Sequence, residues 1–186
     1  MNIRDCVKSS SNKVSAEASA LSAFVCDRKN SLVDRLESFE DIINLEIGDT
    51  GLIRSRAIER EFNIRQLYIK YEGDNPTGTQ KDRIAFAQVY DAIRRKYDIV
   101  TLATCGNYGV AMALASKLAG VQCTIFIPEN YHAERIGEMT ALDAEIIRNP
   151  GSYEDAVVQS SKEAAKNRWY DSNPGGTNTA LQILSY

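Results

Sequence analysis

The chain has one histidine and four cysteines, at positions 6, 26, 105 and 123, and no Cys-x-x-Cys pair. That set cannot form a zinc site of the paired-ligand type, so the cysteines read as reduced thiols. Proline is scarce, four in 186 residues, and with 44% hydrophobic and 25% charged residues the composition excludes disorder over the whole length. There is no surplus of positive charge. Lys plus Arg total 22 against 25 Asp plus Glu, a net charge of -3, which leaves no basic field to concentrate nucleic acid or an anionic membrane. Apolar runs such as residues 109–115 and 124–128 fall far short of the ~18–20 residues that cross a bilayer. Met1-Asn2-Ile3-Arg4-Asp5-Cys6 leads into a Ser/Lys stretch without the apolar middle of a secretory signal. The expectation is a cytoplasmic globular protein of one or two domains with no nucleic-acid or membrane partner.

Hydrophobic spacing organises the rest. Residues 1–30 are small, polar and charged, with an alanine-rich stretch at 16–23, and read as a tail or a frayed helix. Leu32, Leu36, Phe39 and Ile43 recur at helical spacing. Two apolar edges then flank a turn at Gly48 to Gly51, before a short helix at 56–62 and a strand at 66–71. Phe86, Val89, Ile93 and Tyr97 mark one face of a further helix. Beyond it, strands at 99–104, 123–127, 145–148 and 169–171 alternate with helices at 108–118, 133–142 and 153–166. Ser152, three residues before Asp155, is a helix-start signature. This alternation predicts an α/β fold: right-handed βαβ units and a parallel twisted sheet in three α/β/α layers. Ligands of such sheets gather at the carboxyl ends of the strands, here expected after Tyr71, Thr104, Pro128 and Asp171.

Two of those loops carry unusual residues. Gly73 and Gly78 have the spacing of a phosphate loop, but the lysine comes two positions late, at Lys81. Neither Gly73/Gly78 nor Gly106/Gly109 completes a Gly-x-Gly-x-x-Gly fingerprint, which disfavours a nicotinamide cofactor. Lys81 falls in the first turn of a helix, where the peptide dipoles disfavour a cation by ~0.3–1 kcal/mol. A neutral amine is what condensation with an aldehyde needs, while the plain alternative is a solvated surface lysine. The second loop, Thr104-Cys105-Gly106-Asn107-Tyr108-Gly109, precedes an alanine-rich helix whose unpartnered N–H groups suit a carboxylate or phosphate. Asn107 either donates its amide to a ligand or serves as the helix cap, and taken alone the cap is the ordinary role.

The segment Gly73-Asp74-Asn75-Pro76-Thr77-Gly78-Thr79-Gln80-Lys81-Asp82-Arg83 resembles the Asn-Pro-Thr-Gly-Ser-x-Lys-Asp-Arg run of fold-type II pyridoxal-phosphate enzymes. Within that tryptophan synthase beta-like family the resemblance is to the threonine synthase branch. Gly48-Asp49-Thr50-Gly51-Leu52 is similar to the family's Gly-x-Thr-Pro-Leu, Thr104-Cys105-Gly106-Asn107 to its Ser-Ser-Gly-Asn, and Ile127-Pro128-Glu129-Asn130 to its Val-Pro-Glu-Asn. Asp171-Ser172-Asn173-Pro174-Gly175 stands where that branch has a similar loop. The motifs keep the family's order from about residue 40 to 186. Gln80, Cys105 and Gly51 depart from it, standing where the family has an apolar residue, a serine and a proline. His132 reads as a surface-loop residue.

The resemblance implies that Lys81 holds pyridoxal phosphate covalently and later shuttles the α-proton of the substrate. Asn107 would hydrogen-bond the cofactor's 3-hydroxyl oxygen. The backbone of Thr104, Cys105, Gly106, Asn107 and Tyr108 would bind the carboxylate of a small amino acid. The implied reaction is elimination of phosphate from O-phosphohomoserine and addition of water. The alternatives are another activity of the family (cysteine or cysteate synthase, serine or threonine dehydratase) or a non-catalytic fragment or subunit. The implied domains are an N-terminal tail or helix (1–40), the start of the large cofactor domain (41–81), a small α/β domain (82–175) and the return to the large domain (176–186). The family's phosphate-binding glycine loop falls in the part of the large domain beyond Tyr186. The 186 residues are therefore expected to bind the cofactor weakly or not at all alone, and to expose apolar surface that favours a homodimer or a complementing C-terminal polypeptide.

Overall fold

Serine hydroxyls start three of the helices. In the computed structural model, which describes residues 14–131, 135–179 and 181, Ser15 accepts from Ala18 N and opens α1 (Ala16–Cys26). Ser31 accepts from Asp34 N and opens α2 (Leu32–Glu46). Of the two readings, tail or helix, residues 16–26 form the helix, and it is packed rather than frayed. Ala18 and Val25 are fully buried, and Ser22 Oγ donates to Leu118 O at 2.9 Å, tying α1 to the interior. Small side chains on α1 permit this close approach. Helix α2 continues three residues beyond its expected end, and Ile47 N still donates to Ile43 O.

The next strands form a separate structure. β1 (Leu52–Arg54) and β2 (Tyr68–Lys70) pair antiparallel, with Ile53 opposite Ile69, around α3 (Arg56–Phe62). The strand expected at 66–71 is therefore shorter and lies outside the parallel sheet, so Tyr71 is not the end of a sheet strand. Glu59 closes the ribbon: it takes a two-point contact from Arg54 at 2.8 and 3.1 Å and accepts from Leu67 N at 2.8 Å. Leu52 and Ile53 stay 63% and 62% exposed.

The remainder builds the sheet. Helix α4 (Lys81–Arg94) leads to β3 (Ile99–Ala103), α5 (Asn107–Ala119) and β4 (Gln122–Pro128). Then come α6 (Ile136–Ala141), β5 (Glu145–Asn149), α7 (Tyr153–Asn167) and β6 (Tyr170–Asp171). The start of the helix expected at 133, along with Cys6 and His132, lies outside the described residues. All pairings in the four-stranded sheet are parallel, in the order β5-β4-β3-β6. The α/β class and the parallel sheet agree with the sequence pattern.

Each face of the sheet is covered. On one side α7 seats Ala156 against Ala103 and Phe126, and Ser152 and Asp155 form the reciprocal cap that starts it. On the other, α4, α5 and α6 bury Ile84, Phe86, Met112 and Met139 with Leu102 and Ile125 of the strands. Each fully buried side chain of this size contributes roughly 1.5–3 kcal/mol. Helix α2 adds an outer layer, with Phe39 stacked on Phe86 at 5.9 Å between ring centres. Helix α4 packs along α5, which follows β3, and Arg135 bonds to both Thr77 O, before α4, and Asn107 Oδ1, at the start of α5. Asn107 thus follows the carboxyl end of β3, and the bend before Lys81 is held on the same side.

Candidate active site

Lys81 is the first residue of α4, and the bend before it is held from two sides. Gly78 has φ +80°, which a residue with a side chain rarely adopts, and its N–H donates to Asn75 O at 2.8 Å. From the helix side, Asp82 is fully buried and accepts from Thr77 N at 3.0 Å and from Thr77 Oγ1 at 2.9 Å. Burial pushes the Asp82 carboxyl up to about 6, against the pull of those hydrogen bonds and of the Arg135 charge. The amine-bearing residue therefore sits on a bend pinned by its own neighbour, and Lys81 itself is half-buried.

A second clamp joins this bend to the turn at 48–51. Arg83 grips Glu72 at 2.9 and 3.0 Å and reaches Gly48 O at 3.1 Å and Thr50 Oγ1 at 3.3 Å. Asn75 accepts from Gly48 N at 3.1 Å and donates to Glu72 Oε2 at 2.9 Å. The Arg83 guanidinium holds the Glu72 carboxyl below its ordinary range. The two motifs resembling the family are thus one hydrogen-bonded unit.

Across the sheet end lies the turn 104–108. Gly106 stands at the helix cap and Asn107 is the first helical residue, so the capping role expected for Asn107 is corrected. Its Oδ1 accepts instead from Arg135 Nη1 at 2.7 Å. Thr104 is buried, Cys105 and Gly106 are half-buried, and Tyr108 is buried with its hydroxyl donating to Ser172 O at 3.1 Å. That bond, with Asn173 Oδ1 accepting from Ala103 N at 2.7 Å, ties the 171–175 loop to the same end of the sheet. Gly109 lets α5 approach its neighbours: a Cβ there would lie 2.6 Å from Met139 Cε and 2.8 Å from Thr104 Cγ2. At Gly78 and Gly106 the reverse holds, with no atom within 4 Å of an added Cβ. Open space therefore adjoins both loops.

Arg135, at the start of α6, spans the gap. It donates to Asn107 Oδ1 and, at 3.4 Å, to Thr77 O, while its fork rests on Glu138 at 2.8 Å on both branches. One side chain thus reaches the lysine bend and the asparagine turn. Sequence reasoning missed Arg135 and Asp82. Asp82 had a signal, an acid directly after the bend-following lysine. Arg135 had only its place after a strand end, with Glu138 three residues on. Among the described residues no His/Cys/Asp/Glu cluster could hold a metal, no helix is long and apolar enough to cross a membrane, and Cys26, Cys105 and Cys123 are unbridged. A cleft of about 680 Å³ bordered by Arg95, Tyr97, Trp169 and Asn178 includes none of the site residues.

The fold thus presents a parallel sheet, a lysine opening one helix and an asparagine opening the next, with open space beside Gly78 and Gly106 in the loops before them. The chain belongs to the pyridoxal-phosphate dependent enzyme family, whose pattern it matches over residues 43–184. It is 37% identical over 110 residues to cystathionine beta-synthase of Oryctolagus cuniculus, covering 56% of this chain and 20% of that protein. To threonine synthase of Methanocaldococcus jannaschii it is 34% identical over 126 residues, 66% of this chain and 31% of that protein. Among solved structures, cysteine synthase from Entamoeba histolytica superposes with a TM-score of 0.61 at 28% identity, over 70% of this chain and 41% of that one. The chain thus spans well under half the length of these relatives. Its residues fit the family's cofactor at the aldehyde and ring: a half-buried primary amine, an amide whose oxygen is already taken and whose N–H₂ end is the donor, and room beside Gly78 and Gly106.

Proposed function

We propose that this chain carries the lysine-bearing part of a pyridoxal-phosphate enzyme that acts on a small amino acid, in the manner of threonine synthase. The observation that carries the reading is the Arg135 guanidinium, within hydrogen-bond reach of both Thr77 O on the lysine bend and Asn107 Oδ1. When bound, the cofactor supplies an electron sink for a carbanion at the substrate α-carbon. Lys81 Nζ would hold the cofactor through its aldehyde carbon, with the aldehyde oxygen leaving as water, and would take and return the α-proton of the substrate. Asn107 would donate its amide N–H to the cofactor ring oxygen. The turn formed by Thr104, Cys105, Gly106, Asn107 and Tyr108 receives the substrate carboxylate at the positive end of α5. The overall reaction releases phosphate from O-phosphohomoserine and adds water.

The cystathionine and cysteine synthases among the relatives favour a second reading, replacement of a side-chain leaving group on a similar amino acid. Both readings use Lys81 and Asn107 in the same roles. The exposed apolar ribbon, with Leu52, Ile53 and Phe62 open, supports association with a second copy or with a complementing C-terminal polypeptide.

Borohydride reduction in the presence of excess pyridoxal phosphate tests the reading, because trapping records even weak occupancy. Mass spectrometry is expected to find the modification concentrated on Lys81 and lost in Lys81→Ala. Modification spread evenly over the surface lysines, with none preferred at 81, overturns it.

A further inference from the structure

The proposed role of Asn107 depends on which end of its amide faces the cleft, and nothing in α5 sets that choice. A terminal amide rotates readily, and its oxygen and nitrogen differ in function while nearly matching in shape. The neighbour decides. A guanidinium carries only donors, so whichever atom of Asn107 lies 2.7 Å from Arg135 Nη1 must be the oxygen. The N–H₂ end is then turned away from Arg135 and is available to donate. Arg135 is itself fixed, because both branches of its fork sit 2.8 Å from Glu138 and its side chain is only 22% exposed. The same guanidinium also reaches Thr77 O, four residues before the lysine, and its charge acts on buried Asp82.

We propose that Arg135 is a positioning residue that fixes the Asn107 amide with its N–H₂ turned away from the guanidinium, free to face the open space beside Gly106, and couples this orientation to the lysine bend through Thr77. Glu138 sets Arg135 in turn. The inference rests on the cofactor reading above and deepens it.

The test has two readouts, one of which needs no cofactor. In the nuclear magnetic resonance spectrum of the full chain, the Asn107 side-chain N–H₂ pair is expected to shift when Arg135→Ala is introduced, with the backbone of α5 unmoved. Arg135→Lys keeps the charge without the planar fork and is expected to show the same shift in part. In the second readout, pyridoxal phosphate is added at limiting concentration and the borohydride-trapped product on Lys81 is measured. Its yield is expected to fall about tenfold in Arg135→Ala, the size of one charge-assisted hydrogen bond. Glu138→Gln is expected to fall between Arg135→Ala and the parent.

An Asn107 resonance unchanged in Arg135→Ala overturns the inference even if Lys81 is trapped normally. Trapping on Lys81 that is present and equal in Arg135→Ala and the parent also overturns it. A clear Asn107 shift with no trapping on Lys81 in any variant upholds the orienting role and refutes the cofactor reading, so the two failures are told apart. Should Arg135→Ala unfold, Arg135→Lys and Glu138→Gln give the same comparisons with the charge or the fork partner retained.

Discussion

Asp82 should give the protein an inverted dependence of stability on pH. An acid gains stability from folding only if its charge is better accommodated inside than in water, and Asp82 is not so accommodated. Burial raises its carboxyl from 3.8 to about 6, despite two donors from Thr77. Below pH 3.8 the folded and unfolded states both hold the proton. Between 3.8 and about 6 the unfolded chain has released it while the folded chain retains it, so stability falls as pH rises through this window and then levels off. The loss amounts to about 3 kcal/mol. Asp82→Asn keeps an oxygen for Thr77 N–H but has no charge to bury. Urea unfolding of both proteins at pH 4, 5.5 and 7 isolates the effect from Glu72 and the other carboxylates, which titrate alike in each. The variant is expected to gain about 2.4 kcal/mol relative to the parent between the first and last pH, because part of the loss is already present at pH 4. A difference in stability that stays constant across the series refutes the reasoning.

Two substitutions probe the frame around the site. Gly109→Ala drives a methyl group against Met139 and Thr104 and is expected to cost about 1–3 kcal/mol in chemical unfolding, with the 104–108 turn displaced. Ser152→Ala removes the hydroxyl that accepts from Asp155 N at 3.1 Å, and a loss of about 1 kcal/mol is expected in the same assay.

The order of strands and helices from residue 81 onward was legible because each long element carries its own period: Phe86, Val89 and Ile93 on α4, and the apolar runs of β3 and β4 between two covering layers. Ser152 announced α7 for a local reason, since its partners lie within three residues. Helix α1 was legible only as one of two alternatives, tail or helix, because alanine and serine give no strong apolar stripe, and its burial depends on contacts with α5 more than ninety positions away, such as Ser22 to Leu118. Strand β2 lay within the expected 66–71, but β1 and the antiparallel pairing of the two escaped for another reason. Strands of three residues show no alternation to read, and their exposed apolar side chains imitate buried ones.

The site divides in the same way. Lys81 and the 104–108 turn were visible as motifs, since a bend before a lysine and a glycine pair before a helix are contiguous in the chain. Arg135 was not. Its partners Asn107 and Thr77 lie 28 and 58 residues earlier, and only the folded chain brings them to one guanidinium. The assignment of Asn107 to the cap failed because Gly106 occupies that position.

The most direct measurement is a crystal structure of the chain after borohydride reduction in excess pyridoxal phosphate, which retains even weakly bound cofactor. Continuous density from Lys81 Nζ to the cofactor, with the Asn107 amide nitrogen within hydrogen-bond distance of the ring oxygen, is the result predicted. Cofactor joined to a different lysine, or seated in the Arg95–Trp169 cleft away from Asn107, would contradict it.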